Sequence, residues 1–272
     1  MPTCYIVGAG DFTPRGFAPV PGDLVLAADG GYRALYSLGY TPDLLLGDFD
    51  SLGDLPLPPD LPVLRFPARK DDTDTGLALR HGLDRGFRDF ALYGCAGGRV
   101  DHLLANLQSM ARVSRLGATI RLAAPEYDAW ALTGPAPDAP ASDASAPDAS
   151  ASHASGPAPH APHTPAPDAL APAAPAAPAP STPAPDVPAP HASAPDGPAA
   201  TLTLPDRPGG TLVSVFCHGD RAEGVTLTGL SYPLDGADLT GDFPLGVSNR
   251  RLEGQPATVS VRRGTLLIFQ GA

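Results

Sequence analysis

Apolar residues in the first third of the chain come in short runs separated by helical stretches. "CYIVG" and "DLVLAAD" read as buried strands, and the segment near Gly31–Leu38 as a helix. "DLLLGD" and "PVLRF" continue the strand series, and Thr73–Asp84 is a helix entered through "DDTDTG". Then come "DFALYG", a helix over Asp101–Leu116 and the strand "TIRLAA". In that last helix Leu103, Leu104, Leu107 and Met110 fall on one apolar stripe. Strands alternating with helices predict a mainly parallel sheet covered on both faces. This α/β domain is expected over residues 1–124.

Past residue 124 the helical period disappears. "DAWAL", "LTL", "LVSVF", "GVTLTGL", "ATVSVR" and "TLLIF" are short, alternating or β-branched, and bounded by Gly and Pro. "SVRRGTLLIF" reads as a hairpin turning near Arg263–Gly264. The expectation for residues 125–272 is an all-β sandwich domain.

Composition changes this picture at one place. Residues 134–200 contain no Lys, Arg or Glu and hold 19 of the 35 prolines. Such a Pro/Ala-rich insertion has little to bury and is expected to be disordered, partly polyproline-like. It interrupts the β domain, and the 205 residues outside it suffice for a real core. Four of the seven histidines, including His160 and His163, lie inside it. They could ligate a metal, though a tolerated low-complexity insertion is the plainer reading. Without its six aspartates the net charge of −11 becomes −5. An acidic chain of this kind argues against nucleic-acid or membrane-surface binding. Cys4, Cys95 and Cys217 stand far apart, which fits a reduced cytoplasmic protein better than a disulfide framework. The N-terminus lacks a basic region before its apolar run, so no signal peptide is expected, and no apolar run approaches membrane-spanning length.

Three clusters carry candidate chemistry. In "LLLGDFDSL", Asp48 and Asp50 follow an apolar run that should end at the carboxyl rim of the sheet, where open α/β sheets bind ligands. Two carboxylates about 5 Å apart repel by roughly 3 kcal/mol at an effective dielectric near 20, so a cation belongs between them. If the backbone stays extended, the i, i+2 spacing turns both side chains one way. Hard oxygen ligands here suit Mg²⁺ bridging phosphates; a solvated Asp/Gly/Ser turn is the alternative. "KDDTDTGLAL" stacks Asp71, Asp72 and Asp74 around Thr73 beside Lys70. Helix capping explains one or two of these acids. Lys70 could hold a phosphate, and Asp74 could complete a metal site with Asp48 and Asp50. "GCAGGRVDHLLANL" links strand to helix through glycines and brings Arg99 and Asp101 to the helix entrance, a setting for phosphate binding. A plain strand-to-helix turn capped by Asp101 is the alternative, and His102 reads as a packed or exposed side chain. "GAG" at 8–10 lacks the third glycine of a dinucleotide fingerprint, and no Walker-type phosphate loop is present.

Taken in order, "DGGYRAL", "PDLLLGDFDSL", "KDDTDTGLAL", "GGRVDHLLAN", "GVTLTGLSYPL" and "LGVSN" resemble the motifs of the thiamine pyrophosphokinase family. The resemblance spans both expected domains and skips only the insertion. It implies an N-terminal α/β domain, a C-terminal β-sandwich and a homodimer with active sites at the interface. It also implies the reaction: ATP and thiamine give AMP and thiamine diphosphate, with Mg²⁺. By the same resemblance Asp48, Asp50 and Asp74 hold the metal, while Lys70, Asp71 and Thr73 contact the nucleotide. Arg99 and Asp101 belong to the glycine-rich site loop, and Asp29 of "ADGG" is an active-site acid. Ser248 and Asn249 stand on the thiamine side, and Tyr232 of "LSYPL" is the aromatic near the vitamin ring, contributed across the dimer. Two rivals stay open: a diphosphokinase acting on a hydroxymethyl pterin, and a non-catalytic thiamine or nucleotide sensor.

Overall fold

The computed structural model describes residues 1–49, 52–66, 72–135 and 198–272. The disorder and metal-tail expectations for the insertion fall outside these residues. In the first part lie β1 (Thr3–Val7), β2 (Leu24–Ala28), α1 (Gly31–Ser37), β3 (Leu44–Gly47), β4 (Val63–Arg65), α2 (Asp74–Asp84), β5 (Asp89–Tyr93), α3 (Val100–Arg115), β6 (Thr119–Ala123) and β7 (Tyr127–Thr133). The second part is all strand: β8 (Ala200–Thr203), β9 (Leu212–Cys217), β10 (Arg221–Thr228), β11 (Leu234–Thr240), β12 (Gly246–Arg250), β13 (Thr258–Val261) and β14 (Thr265–Gly271).

Two sheets carry the fold. The larger has ten strands in the order β12-β9-β14-β7-β6-β5-β1-β2-β3-β4, and the smaller runs β11-β10-β13-β8. From β6 to β4 every pairing is parallel; from β6 to β7 and onward every pairing is antiparallel. The change of sense falls at the tight turn Ala124–Glu126, and the sheet continues through it unbroken.

Alternation along each parallel strand explains the layers. Cys4 and Ile6 of β1 pack with Leu26, Leu46, Phe90 and Leu92 beneath Ala78, Leu79, Leu107 and Met110 of α2 and α3. The intervening Tyr5 and Val7 pack with Val25, Ala27 and Leu45 against Tyr32 and Leu35 of α1. Both faces are therefore covered, which is why these strands read as unbroken apolar runs. A third core fills the sandwich, where Trp130, Val213, Val215, Leu266 and Ile268 of the large sheet meet Val225, Leu227, Val259 and Val261 of the small one.

Two expectations need correction. "SVRRGTLLIF" is not a hairpin: β13 lies in the small sheet between β10 and β8, and β14 in the large sheet between β7 and β9. Both flanks of each strand are already occupied, so neither has an edge left for the other. The turn at Arg263–Gly264 instead carries the chain across the sandwich, held by Glu223 N–H donating to the Arg263 carbonyl at 2.9 Å. On α3, Leu107 and Met110 are buried, but Leu104 points to solvent. The buried stripe turns instead through Asn106, Ala111 and Val113.

Candidate active site

Connections from β1 run outward through β2, β3 and β4, then return through α2 to β5 on the other side of β1. The order of strand addition thus reverses between the parallel strands β1 and β5, and the loops leaving those strands part to form a crevice at their carboxyl ends. They are stitched together at its base. Gly8 N–H donates to the Tyr93 carbonyl at 2.8 Å, Gly10 N–H to Gly94 O at 2.7 Å and Asp11 N–H to Ala96 O at 2.9 Å. This explains the glycines of "GAG" and "GCAGG". Gly94 has φ +58°, and a Cβ there would lie 2.3 Å from the Gly8 carbonyl oxygen.

Above this floor opens a cleft of about 500 Å³. Its walls include Asp29 after β2, Asp48 after β3, Thr73 and Asp74 at the start of α2, and Arg99 at the start of α3. Five of the residues expected from the sequence are therefore gathered in one place. Asp50, Lys70 and Asp71 lie outside the described residues. Among the described residues no three acid, histidine or cysteine side chains form a ready metal cluster. The acids that do line the cleft, Asp29, Asp48, Asp72 and Asp74, offer oxygen donors only, which suits a hard divalent cation.

At Phe49 the backbone leaves the extended path on which the i, i+2 argument depended. β3 ends at Gly47, and Phe49 has φ +69°. Its ring packs into the α1-side core with the Arg65 guanidinium 4.6 Å above it. A hydrophobic anchor between the two acids accounts for this conformation.

α2 begins as its sequence predicts. Thr73 is the N-cap, its Oγ1 accepting from Gly76 N–H at 3.0 Å. Asp72, just before the cap, accepts from Thr73 N–H at 2.9 Å while Arg80 holds its other oxygen at 2.6 Å. On α3 the N-cap is Arg99, not Asp101. Arg99 Nε donates to Asp101 Oδ1 at 3.1 Å on the exposed first turn. That hydrogen bond holds the Asp101 carboxyl below the usual carboxylate range and pushes the guanidinium up. Asp101 itself does not line the cleft.

Of the other lining residues, Asp72 belongs to the acidic cluster read from the sequence and Gly8 and Ala9 to "GAG"; His102 is exposed, as expected, and lines the cleft, while Ala28, Thr75 and Asn106 were not expected. Arg99, His102 and Asn106 recur at i, i+3 and i+7, one face of a helix, so the spacing did carry a signal. Asn106 is buried and donates through Nδ2 to the Cys95 carbonyl at 2.8 Å, tying α3 to the glycine loop. Thr75 Oγ1 lies 3.9 Å from Cys95 Sγ beneath the cleft.

Tyr232, Ser248 and Asn249 stand elsewhere. Ser248 and Asn249 belong to β12, the edge strand eight places from β3 in the sheet order. At about 4.8 Å per strand this is roughly 38 Å along the sheet. One chain does not bring these residues to the carboxylates.

Fold and cleft define the class: a doubly wound α/β protein with an acidic, glycine-floored site at its strand ends, extended by a β-sandwich. Comparison with known proteins gives the family. Residues 21–122 match the family model "Thiamin pyrophosphokinase, catalytic domain" and residues 200–266 match "Thiamin pyrophosphokinase, vitamin B1 binding domain". The chain belongs to the thiamin pyrophosphokinase family. Thiamine pyrophosphokinase of Bacillus subtilis is 33% identical over 103 residues, covering 36% of this chain and 48% of that protein. The match thus spans about half the length of this curated relative. The crystal structure of the Bacillus subtilis enzyme superposes with a TM-score of 0.67 at 20% identity, covering 99% of both chains. That from Geobacillus thermodenitrificans gives 0.64 at 20% identity, covering 99% of this chain and 97% of that one. Thiamin pyrophosphokinase from Candida albicans gives 0.60 at 10%, covering 99% and 90%. At these identities the solved structures speak for the fold. Among the described residues no helix is long and apolar enough to cross a membrane.

Proposed function

We propose that this chain is a thiamine diphosphokinase, transferring the diphosphate of ATP to the hydroxyl of thiamine and releasing AMP. The observation that carries the reading is the convergence of Asp29, Asp48, Thr73, Asp74 and Arg99 on one cleft at the strand carboxyl ends. Diphosphoryl transfer needs in-line positioning and charge neutralisation, with little covalent participation by protein.

Asp48 and Asp74, with Asp50, are the residues that would hold Mg²⁺; bound there, the ion would offset phosphate charge. Arg99 supplies guanidinium donors for phosphate oxygens at the N-terminus of α3, where the helix adds partial positive charge. Lys70 is a second candidate cation for the developing charge. The stitched glycine floor lets the phosphate chain approach backbone closely. The thiamine hydroxyl attacks the β-phosphorus, and the bond to the α-phosphate oxygen breaks as AMP leaves. Asp101 is the nearby acid that could take the hydroxyl proton, and its low pKa makes it a weak base while Arg99 holds it. Tyr232, Ser248 and Asn249 can share the cleft only if a second copy supplies them, so the reading includes a homodimer. Three free cysteines, two of them buried, fit a cytoplasmic setting.

Incubation with ATP, Mg²⁺ and thiamine should release AMP, and the hydroxymethyl pterin should not replace thiamine. AMP with the pterin alone would favour the related diphosphokinase; binding without AMP would favour a sensor. Asp50→Asn should lower turnover by about a hundredfold or more while the protein stays folded. Near-normal rates with Mg²⁺ would refute the metal assignment.

A further inference from the structure

We infer that Asn249 is a positioning residue for Tyr232 and not a direct ligand of the substrate. The inference rests on the thiamine reading only for what Tyr232 meets, not for how it is held. Asn249 is 3% exposed. Its Oδ1 accepts from Tyr232 N–H at 2.9 Å and from Arg250 N–H at 2.9 Å, which uses both lone pairs. Its Nδ2 donates to the Tyr232 carbonyl at 2.6 Å. The side-chain amide therefore exchanges two hydrogen bonds with the backbone of one residue, as a facing residue does in an antiparallel pair.

The neighbouring bonds extend this pairing. Ser231 N–H donates to Arg250 O at 2.8 Å, and Leu252 N–H to Gly229 O at 2.9 Å. Leu230 forms a bridge with Arg251. The loop between β10 and β11 is thus zipped onto the end of β12, and Asn249 supplies the last rung where the main chain of β12 turns away. Ser248 just before it has φ +60°, and its N–H donates to Ser214 Oγ at 3.1 Å. Pro233 follows Tyr232 and restricts it to extended conformations.

For all this fixing of its backbone, Tyr232 is 70% exposed, the most exposed aromatic among the described residues. A ring held so firmly yet left in water gains nothing from burial in the chain itself. It is a preset flat surface, inside the stretch that matches the vitamin B1 binding model. Its chemistry suits a planar cationic heteroaromatic ring, which gains dispersion and cation–π attraction from a tyrosine face.

The test uses Asn249→Ala, Asn249→Asp, Tyr232→Ala and the Asn249→Ala/Tyr232→Ala double variant, each checked for native circular dichroism. In ligand-free protein, hydrogen exchange of the Tyr232 amide should quicken about tenfold or more in Asn249→Ala. Asn249→Asp keeps an acceptor but sets a carboxylate oxygen against the Tyr232 carbonyl where Nδ2 donates, so it should lose protection as well. In assays, the KM for thiamine should rise about tenfold in Asn249→Ala and in Tyr232→Ala, with kcat and the KM for ATP nearly unchanged. The double variant should be no worse than Tyr232→Ala alone. Additive losses would overturn the inference, as would weaker thiamine binding with Tyr232 protection intact. If the unaltered chain releases no AMP from thiamine, the functional reading fails separately. Exchange at Tyr232 then decides the positioning claim by itself, and unchanged protection in Asn249→Ala overturns it.

Discussion

Asp29, Phe49 and Ser248 are the residues other than glycine that hold a positive φ among the described residues, at 47°, 69° and 60°. Each belongs to, or sits between, residues singled out from the sequence as functional. Such conformations cost roughly 1–3 kcal/mol and persist where surrounding structure over-determines them. Asp29 shows how. Its N–H donates to Leu46 O at 2.7 Å, and a Cβ on Gly47 would come within 3.0 Å of the Asp29 Cβ. Asparagine tolerates the left-handed region as well as aspartate does. Asp29→Asn should therefore leave the urea midpoint nearly unchanged while lowering turnover about a hundredfold. A large loss of stability with activity intact would mean the carboxylate serves the fold.

His81 on α2 gives a pH dependence of known sign. Burial, reinforced by Arg85, holds its imidazole below the ordinary histidine range, and its buried Nε2 has no hydrogen-bond partner. The unfolded chain takes up that proton at a higher pH than the folded one. Stability from this group is thus complete above about pH 6.5 and is lost as pH falls through the folded value. His218 acts in the same direction, through burial and then Arg115. Urea midpoints should fall between about pH 7 and 5.5, and His81→Gln should flatten the slope without abolishing it. An identical slope in the variant would show that His81 titrates alike in both states.

At the scale of elements, local chemistry was legible wherever it acts alone. The period of the apolar runs located all six parallel strands and three helices, and "DDTDTG" announced the start of α2. Thr73→Ala should cost about 1 kcal/mol in urea titration, with Thr73→Ser close to the native value; equal midpoints for all three would show that the Thr73 hydroxyl contributes nothing to the start of α2. What stayed hidden depends on neighbours far away in sequence. Nothing in "SVRRGTLLIF" says that both flanks of each strand are already taken. β11, "LDGADLT", and β12, "GVSNR", show no clean apolar alternation, and both pair through shifted registers that a strict period of two does not reveal. The candidate site divides the same way. Acids placed just after strands were readable from position, whereas Asn106 and Thr75 enter through the packing of helices on the glycine loop.

At the scale of the whole molecule, the question is how one body carries a break of more than sixty residues. The two ends of that break leave from the same corner. Thr133 pairs with Thr265, and Gly134 N–H donates to Gly264 O at 2.9 Å. Ala200 pairs with Val261, on the other side of the same crossover. Val261 and Thr265 are four residues apart, so with two strand spacings added the ends stand within about 25 Å, a gap that roughly eight linker residues can span. Loop-closure entropy rises only with the logarithm of length, so replacing the long loop by such a linker should stabilise the protein by at most about 2 kcal/mol. The corner also lies on the rim opposite the cleft, since β7 runs antiparallel to β6 and so ends beside the amino ends of the parallel strands, whereas the cleft opens at their carboxyl ends. Replacing residues 135–198 with a short Gly/Ser linker should accordingly leave kcat and both KM values within about twofold, with an equal or slightly higher urea midpoint. A folded deletion variant that had lost turnover would assign the segment a part in catalysis or assembly, and comparing its sedimentation with that of the full chain would tell which.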